Sequence, residues 1–373
     1  MGKRANGEGS ITQLSDGRYQ ARIMLDDGTR KAFYGHAREE VSAQLTEALD
    51  RRNKGLPVVA DGKQTLGQYL KDWLAAIKGN VRQKTYQGYE SYIRVHVQPA
   101  LGKHRMAKLN PLHLQRFYSQ KLEQGLSPTT VRHIHATLHR ALDQAVRWGI
   151  VYRNVAELVD PPRRARHEMA ALLPEQARAL LDAAAGDRLE ALYILAITTG
   201  MRQGELLGLR WAEVEMEEGI LRVRAIVQRT KNGINFSEPK TAGSRRQIAL
   251  VPAAVAALRA HRIKQAAERL KVGPSWQDNG LVFPTRTGRP MDASNLLHRS
   301  FDPLLKRTGL PHMRFHDLRH TAATIYLRKK VHVKVVSEML GHSQIGITLN
   351  TYSHVLPDMQ KEATAAMQAA LWG

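Results

Sequence analysis

Residues 315–321 read FHDLRHT, and the spacing inside this heptad governs how the rest of the chain is read. His316 and Arg319 are three apart and share one face of a helix, while Asp317 points to another. His312, His316 and His320 recur every four residues, which alone would suggest a metal site. No Asp, Glu or Cys is placed to complete a ligand shell, and Pro311 sets His312 ahead of the helix, so no metal is expected. Upstream, Thr198–Trp211 reads TTGMRQGELLGLRW. An apolar helix ends at Gly200, and Arg202 and Glu205 open a new one. Arg202 at that turn could clamp a phosphate with its guanidinium, and Glu205 could fix its orientation. Taken alone, the two also read as an ordinary surface ion pair. Downstream, Leu340–His354 reads LGHSQIGITLNTYSH, with His342 and Tyr352 ten apart and Gly341 and Gly346 breaking the run. Helix, turn and helix would suit a repressor here, and a lone buried tyrosine is usually a packed residue with a satisfied hydroxyl.

Composition narrows the choice. The chain has 373 residues, 56 Lys plus Arg and 34 Asp plus Glu, for a net charge of +22. This length fits two or three domains. Hydrophobic residues make up 43%, enough for folded cores. With no cysteine, disulfide scaffolds, cysteine nucleophiles and thiolate metal sites are excluded. No apolar region follows the charged start MGKRANGEGS, so no secretory signal is expected, and no run could span a bilayer. The charge therefore calls for a soluble acidic partner, and nucleic acid fits because neutralised phosphates release counterions. Residues 1–60 carry a balance of +2, residues 62–170 of +11 and residues 171–373 of +10. The stretch Asp160–His167, DPPRRARH, joins the two basic bodies through Arg163, Arg164 and Arg166, so that they could close around a duplex.

The coarse pattern supports that division. Ser10–Leu14, Arg18–Leu25 and Arg30–Tyr34 read as strands separated by Asp16-Gly17 and Asp27-Gly28 turns. Tyr19, Ala21, Ile23 and Leu25 fall on one face, and Arg18, Gln20 and Arg22 on the other, which could read a major groove or simply be solvated. Arg38–Asn53 reads as a covering helix, and Gly55–Lys63 as a linker. Thr65 reads as an N-cap before Leu66, Tyr69, Leu70, Trp73, Leu74 and Ile77 at helical spacing. Helices follow over Lys84–Val97, Pro111–Gln124 and Pro128–Trp148. Beyond Leu172 the pattern mixes helices over Pro174–Ala185 and Arg188–Thr199 with strands over Ile220–Gln228, Gly233–Phe236 and Arg245–Leu250. Helices resume from Pro252.

Together, Arg202, His316-x-x-Arg319, Leu340-Gly341-His342 and Tyr352 resemble the tyrosine recombinases, and more closely the phage or conjugative-element integrases of the lambda type. The likeness covers nearly the whole chain. It implies a multidomain fold: a small N-terminal three-stranded sheet plus helix, an all-helical core-binding domain, and a mainly helical α+β catalytic domain. The corresponding spans are 1–60 for arm-type DNA, 64–160 for the helical clamp and 170–373 for catalysis.

The resemblance makes Tyr352 the nucleophile, forming a 3′-phosphotyrosyl link and freeing a 5′-hydroxyl. His316 is implied as base or proton acceptor, Arg202 and Arg319 as the clamp on the non-bridging oxygens, and His342 as a third phosphate contact. A lysine on a hairpin would be the general acid. Lys240 in Ser237–Arg246, SEPKTAGSRR, matches that pattern, with Lys231 as its competitor. The ester conserves the phosphodiester bond energy, so neither ATP nor any other cofactor is implied. Expected partners are core and arm attachment sites in double-stranded DNA, a homotetramer on DNA, and a host bending factor and an excisionase; no membrane is expected. The expected location is the bacterial cytoplasm, at the nucleoid. The alternatives are a catalytically silent DNA-binding regulator, a chromosome-dimer resolvase, against which residues 1–60 argue, and a type IB topoisomerase. The tail Pro357–Gly373 carries Met359, Ala363, Ala366, Met367, Ala370 and Leu371 at helical spacing, suited to a neighbouring protomer or to its own domain.

Overall fold

The computed structural model describes residues 9–25, 28–53, 63–163, 170–230, 233–237, 245–352 and 359–372. It divides into two compact units, Met1–Arg166 and His167–Gly373.

In the first unit, β1 (Ser10–Gln13), β2 (Tyr19–Met24) and β3 (Arg30–Gly35) form an antiparallel sheet in sequence order. Gly17 takes φ 84° in the first hairpin, a value that favours glycine. α1 (Arg38–Asn53) covers one face, where Ala21, Ile23, Val41, Leu45 and Ala48 make a small core. The opposite face departs from the alternation expected of it. Gln20 is only 4% exposed, because the Tyr34 hydroxyl opposite it on β3 accepts from its side-chain amide at 2.6 Å. A side-chain hydrogen bond to the neighbouring strand is a tertiary choice that a period of two does not encode.

The same unit continues with α2 (Leu66–Ile77), α3 (Gln83–Tyr92), α4 (Gln98–Leu101), α5 (Pro111–Glu123) and α6 (Pro128–Arg147). Thr65 and Gln68 cap α2 reciprocally: Gln68 N donates to Thr65 Oγ1 and Thr65 N to Gln68 Oε1. Pro111 and Pro128 occupy first turns, where no amide donor is needed. The helix expected through Val97 widens into a π turn over Ile93–Val97. Leu66, Tyr69, Trp73, Ile134 and Leu138 lie in one apolar core, so these positions are structural.

The second unit opens with α7 (Pro174–Ala183), α8 (Glu190–Thr199) and α9 (Gln203–Leu207). β4 (Val214–Glu215), β5 (Ile220–Val223), β6 (Ile226–Thr230), β7 (Gly233–Ser237) and β8 (Arg246–Ala249) follow. The single strand expected over Ile220–Gln228 is in fact two. β5 pairs with β4 and β8, whereas among the described residues β6 pairs only with β7. The split has a packing reason. A Cβ on Gly204 would come within 3.0 Å of the Val227 carbonyl oxygen, and one on Gly208 within 3.0 Å of the Val227 nitrogen. These bare positions let the β6–β7 hairpin lie directly on α9.

The unit closes with α10 (Pro252–Val272), α11 (Ala293–Leu296), α12 (Asp302–Thr308), α13 (Asp317–Arg328), α14 (Val333–Leu340), α15 (Ile345–Tyr352) and α16 (Met359–Trp372). Its main core surrounds α8, whose Leu192, Tyr193 and Leu195 are fully covered. A smaller core joins Ala323 and Leu327 of α13, Val336 and Leu340 of α14, and Tyr352. No helix among the described residues is long and apolar enough to cross a membrane.

Candidate active site

The three sequence clusters meet in the second unit, and main-chain carbonyls hold them together. α8 stops at Gly200 in the left-handed conformation, φ 62°. α14 stops the same way at Gly341, φ 66°. Each stop frees carbonyl oxygens that would otherwise lack partners. Arg319, buried on α13, donates from Nη1 to the Gly200 carbonyl at 2.8 Å and from Nη2 to the Leu340 carbonyl at 2.6 Å. Arg202 donates from Nη2 to the Gly341 carbonyl at 3.2 Å. One fork thus spans both helix ends, and the second fork is tied to the same turn.

Glu205 organises the arginines. Its carboxylate accepts from Arg202 Nη1 and the Arg202 backbone N, both at 2.9 Å. It also accepts from Arg246 Nη2 at 2.9 Å and from Nη1 at 3.3 Å. Burial pushes this carboxyl up, but hydrogen bonds and charge from Arg246 and Arg202 outweigh burial and hold it below its usual value. Arg246 Nε also donates to the Met339 carbonyl, which fastens β8 to the end of α14. Two guanidiniums therefore share one carboxylate, with Arg319 held nearby on main-chain carbonyls, leaving a positive centre suited to an anion. Burial and the charge of Arg202 draw Arg319 down to about 9, still cationic at neutral pH. Asp317 is committed elsewhere, to Arg314 at 2.9 Å.

Burial and neighbouring charge disfavour the protonated form of the histidines around this centre. Burial, then Arg319, lowers His342 to about 4, and its Nδ1 is hydrogen-bonded to Thr348 Oγ1 at 2.7 Å. His316 presents exposed surface just ahead of α13, yet the surrounding protein displaces enough water to lower its pKa, with Arg319 adding to the effect. Burial, then His316, takes His320 to about 4. His320 Nδ1 lies 2.7 Å from Tyr352 Oη. Tyr352 closes α15, is 1% exposed, and is pushed up to about 12 by burial. The His316 and His320 rings stand edge to face at 5.2 Å.

Other expected residues divide. Arg18 is exposed and paired with Asp16, with Nη2 at 2.6 Å, whereas Gln20 is covered as described. Arg22 and Arg163 are exposed. Lys240, Lys231, Arg164 and Arg166 lie outside the described residues. His139, Asp143 and Glu157 of the first unit bring possible metal-ligand atoms within 4.8 Å of one another. Two site residues escaped the sequence reading. Arg246 looked no different from its neighbour Arg245, and His320 registered only as part of a histidine repeat.

Comparison with known proteins agrees with this geometry. Residues 170–359 match the phage integrase family, and residues 65–122 match the SAM-like N-terminal domain of phage integrases. A tyrosine recombinase XerC-like protein of Caldanaerobacter subterraneus subsp. tengcongensis is 32% identical over 358 residues, covering 91% of each chain. Among solved structures, the Tn1549 transposon integrase in complex with a circular intermediate DNA matches with a TM-score of 0.70 at 22% identity, over 82% of this chain and 99% of the other. A lambda integrase tetramer bound to a Holliday junction matches with a TM-score of 0.57 at 19% identity, over 93% and 96%. The chain belongs to the phage integrase family of tyrosine recombinases. It is a site-specific DNA recombinase, and the repressor reading of residues 340–354 is set aside.

Proposed function

We propose that Tyr352 attacks a DNA phosphodiester held by Arg202 and Arg319, with His342 as a further phosphate contact and His316 beside the reacting centre. The Tyr352 oxygen bonds to phosphorus, the 5′-oxygen leaves, and a 3′-phosphotyrosyl link remains. A partner strand's 5′-hydroxyl reverses the step, so integration and excision run on the same chemistry. The arginines balance charge on the non-bridging oxygens as the transition state forms. Glu205 positions Arg202. Lys240 is the proposed donor to the leaving oxygen, with Lys231 as the alternative.

The observation that carries this reading is the double anchoring of Arg202 and Arg319 to the Leu340–Gly341 turn, beside His342 and Tyr352. In our reading residues 1–60 serve arm sites, 64–160 clamp the core site and 170–373 cut it. Arg22 and Arg163 are exposed cations available to phosphates there. The proposed working form is a tetramer on DNA in the bacterial cytoplasm, assisted by a bending factor and an excisionase.

The test is a nicked suicide substrate carrying the core site, without metal or ATP. An EDTA-resistant protein–DNA adduct that is lost in Tyr352→Phe, with DNA binding kept, is the expected result. An undiminished adduct in that variant would mean another nucleophile.

A further inference from the structure

We propose that His320 takes the proton of the Tyr352 hydroxyl as that oxygen attacks phosphorus. The proposal rests on Tyr352 being the nucleophile, and it moves the proton-accepting role from His316 to the neighbouring ring.

The geometry is specific. Nδ1 of His320 sits 2.7 Å from Tyr352 Oη, with the two rings 5.7 Å apart. The residues are 32 positions apart in sequence, so the contact is made by the fold. It is fixed by the small core that joins Ala323, Leu327, Val336, Leu340 and Tyr352. His316, by contrast, presents its ring edge-on to His320.

The chemistry suits a base. Around His320 stand Asp317 and Arg319 on its own helix, Arg314 and His316 ahead of it, Tyr352 at the end of α15, and His342 in the turn after α14. Burial and the cations dominate that set and keep the ring neutral at physiological pH. A neutral imidazole has one nitrogen with a free lone pair; in the tautomer that bares Nδ1, which the proposal requires, the phenol O–H is the donor that meets it. The buried phenol does not ionise unaided. It becomes strongly acidic only as its oxygen bonds to phosphorus, which is when a neighbouring acceptor helps most. The balance is then complete. The Oη–P bond forms and the P–O5′ bond breaks. The tyrosine proton ends on Nδ1, and the 5′-oxygen leaves with a proton from the general acid of the reaction. In the reverse step His320 returns its proton to the departing phenolate.

Single-turnover adduct formation on the suicide substrate tests this. His320→Ala should keep DNA affinity and slow adduct formation by roughly 10²–10⁴-fold. His320→Asn retains a hydrogen-bonding group without basicity and should be similarly slow, and it carries the test if the alanine variant fails to fold. The decisive arm places a fluorinated tyrosine of lower pKa at position 352. It should restore at least about tenfold of the rate lost in either His320 variant, because a more acidic phenol needs less help. A structural defect would gain nothing from it. Three results would each overturn the proposal: His320→Ala at native rate, His320→Asn at native rate, or no recovery with the fluorinated tyrosine. An adduct that survives Tyr352→Phe would instead overturn the nucleophile assignment itself.

Discussion

Glu205 and Arg246 form an ion pair with Nη2 to Oε2 at 2.9 Å, and their side chains are only 2% and 7% exposed. The pair links α9, whose N-cap is Arg202, to β8, the strand after the hairpin. Arg202 shares the same carboxylate, so the proposed phosphate clamp is tied to this contact.

Glu205→Gln should therefore damage stability and activity together. Removing the charge leaves Arg246 buried without a counterion, a change worth about 3–5 kcal/mol in comparable buried pairs. Urea unfolding should show a clear drop in midpoint, and adduct formation should slow even where the protein remains folded.

Acid should reproduce part of that effect. Glu205 is held below its usual carboxyl value in the folded state. Its contribution to stability is thus fully present above the unfolded value near 4.5 and is lost as pH falls through the lower folded value. Thermal melts from neutral pH downward should steepen below about pH 4.5 in the native protein. Glu205→Gln should lack that component.

Arg246→Met should be worse than the pair removed together. Alone it leaves Glu205 buried with half its partners. Combined with Glu205→Gln it leaves a neutral amide beside an apolar side chain. The double variant should regain stability over Arg246→Met, with a coupling of about 0.5–3 kcal/mol in a double-mutant cycle. Additive losses would mean that the two residues act independently.

Gly341→Ala should strain the turn. The residue has φ 66°, and a Cβ there would lie 2.9 Å from Arg246 Nη1. The backbone cost alone is about 1–2 kcal/mol. Displacing Arg246 should lower adduct formation more than DNA affinity, as gel shift and suicide-substrate assays on one preparation would reveal.

Binding should weaken steeply with salt. The charge of +22 predicts many phosphate contacts. The logarithm of affinity should fall against the logarithm of salt with a slope of about −0.9 for each phosphate neutralised. A flat dependence would count against an electrostatic clamp.

Local chemistry was the legible part of the sequence. Thr65, Pro111 and Pro128 mark helix starts by their own capping or φ preference, and α1 begins and ends where its pattern does. Arg202, Glu205 and Arg319 were readable because a few residues fix their spacing. What stayed hidden depends on distant contacts. The burial of Gln20 needs Tyr34, fourteen residues on. The division of Ile220–Gln228 needs two bare glycines on α9. Arg246 acquires its role only when β8 meets Glu205 across 41 positions, and His320 only when α15 returns to α13.

Arg202 and Arg319, the arginines of the proposed clamp, draw much of their anchoring from peptide oxygens: Gly200, Leu340 and Gly341. A carbonyl is the same group whatever side chain its residue carries. Much of the sequence around such a site can drift while the charges keep their coordinates, provided that the helices still end where they do. Divergent chains can thus retain one reaction centre with few shared letters, and selection would act on the places where a helix stops as strongly as on the charged residues themselves.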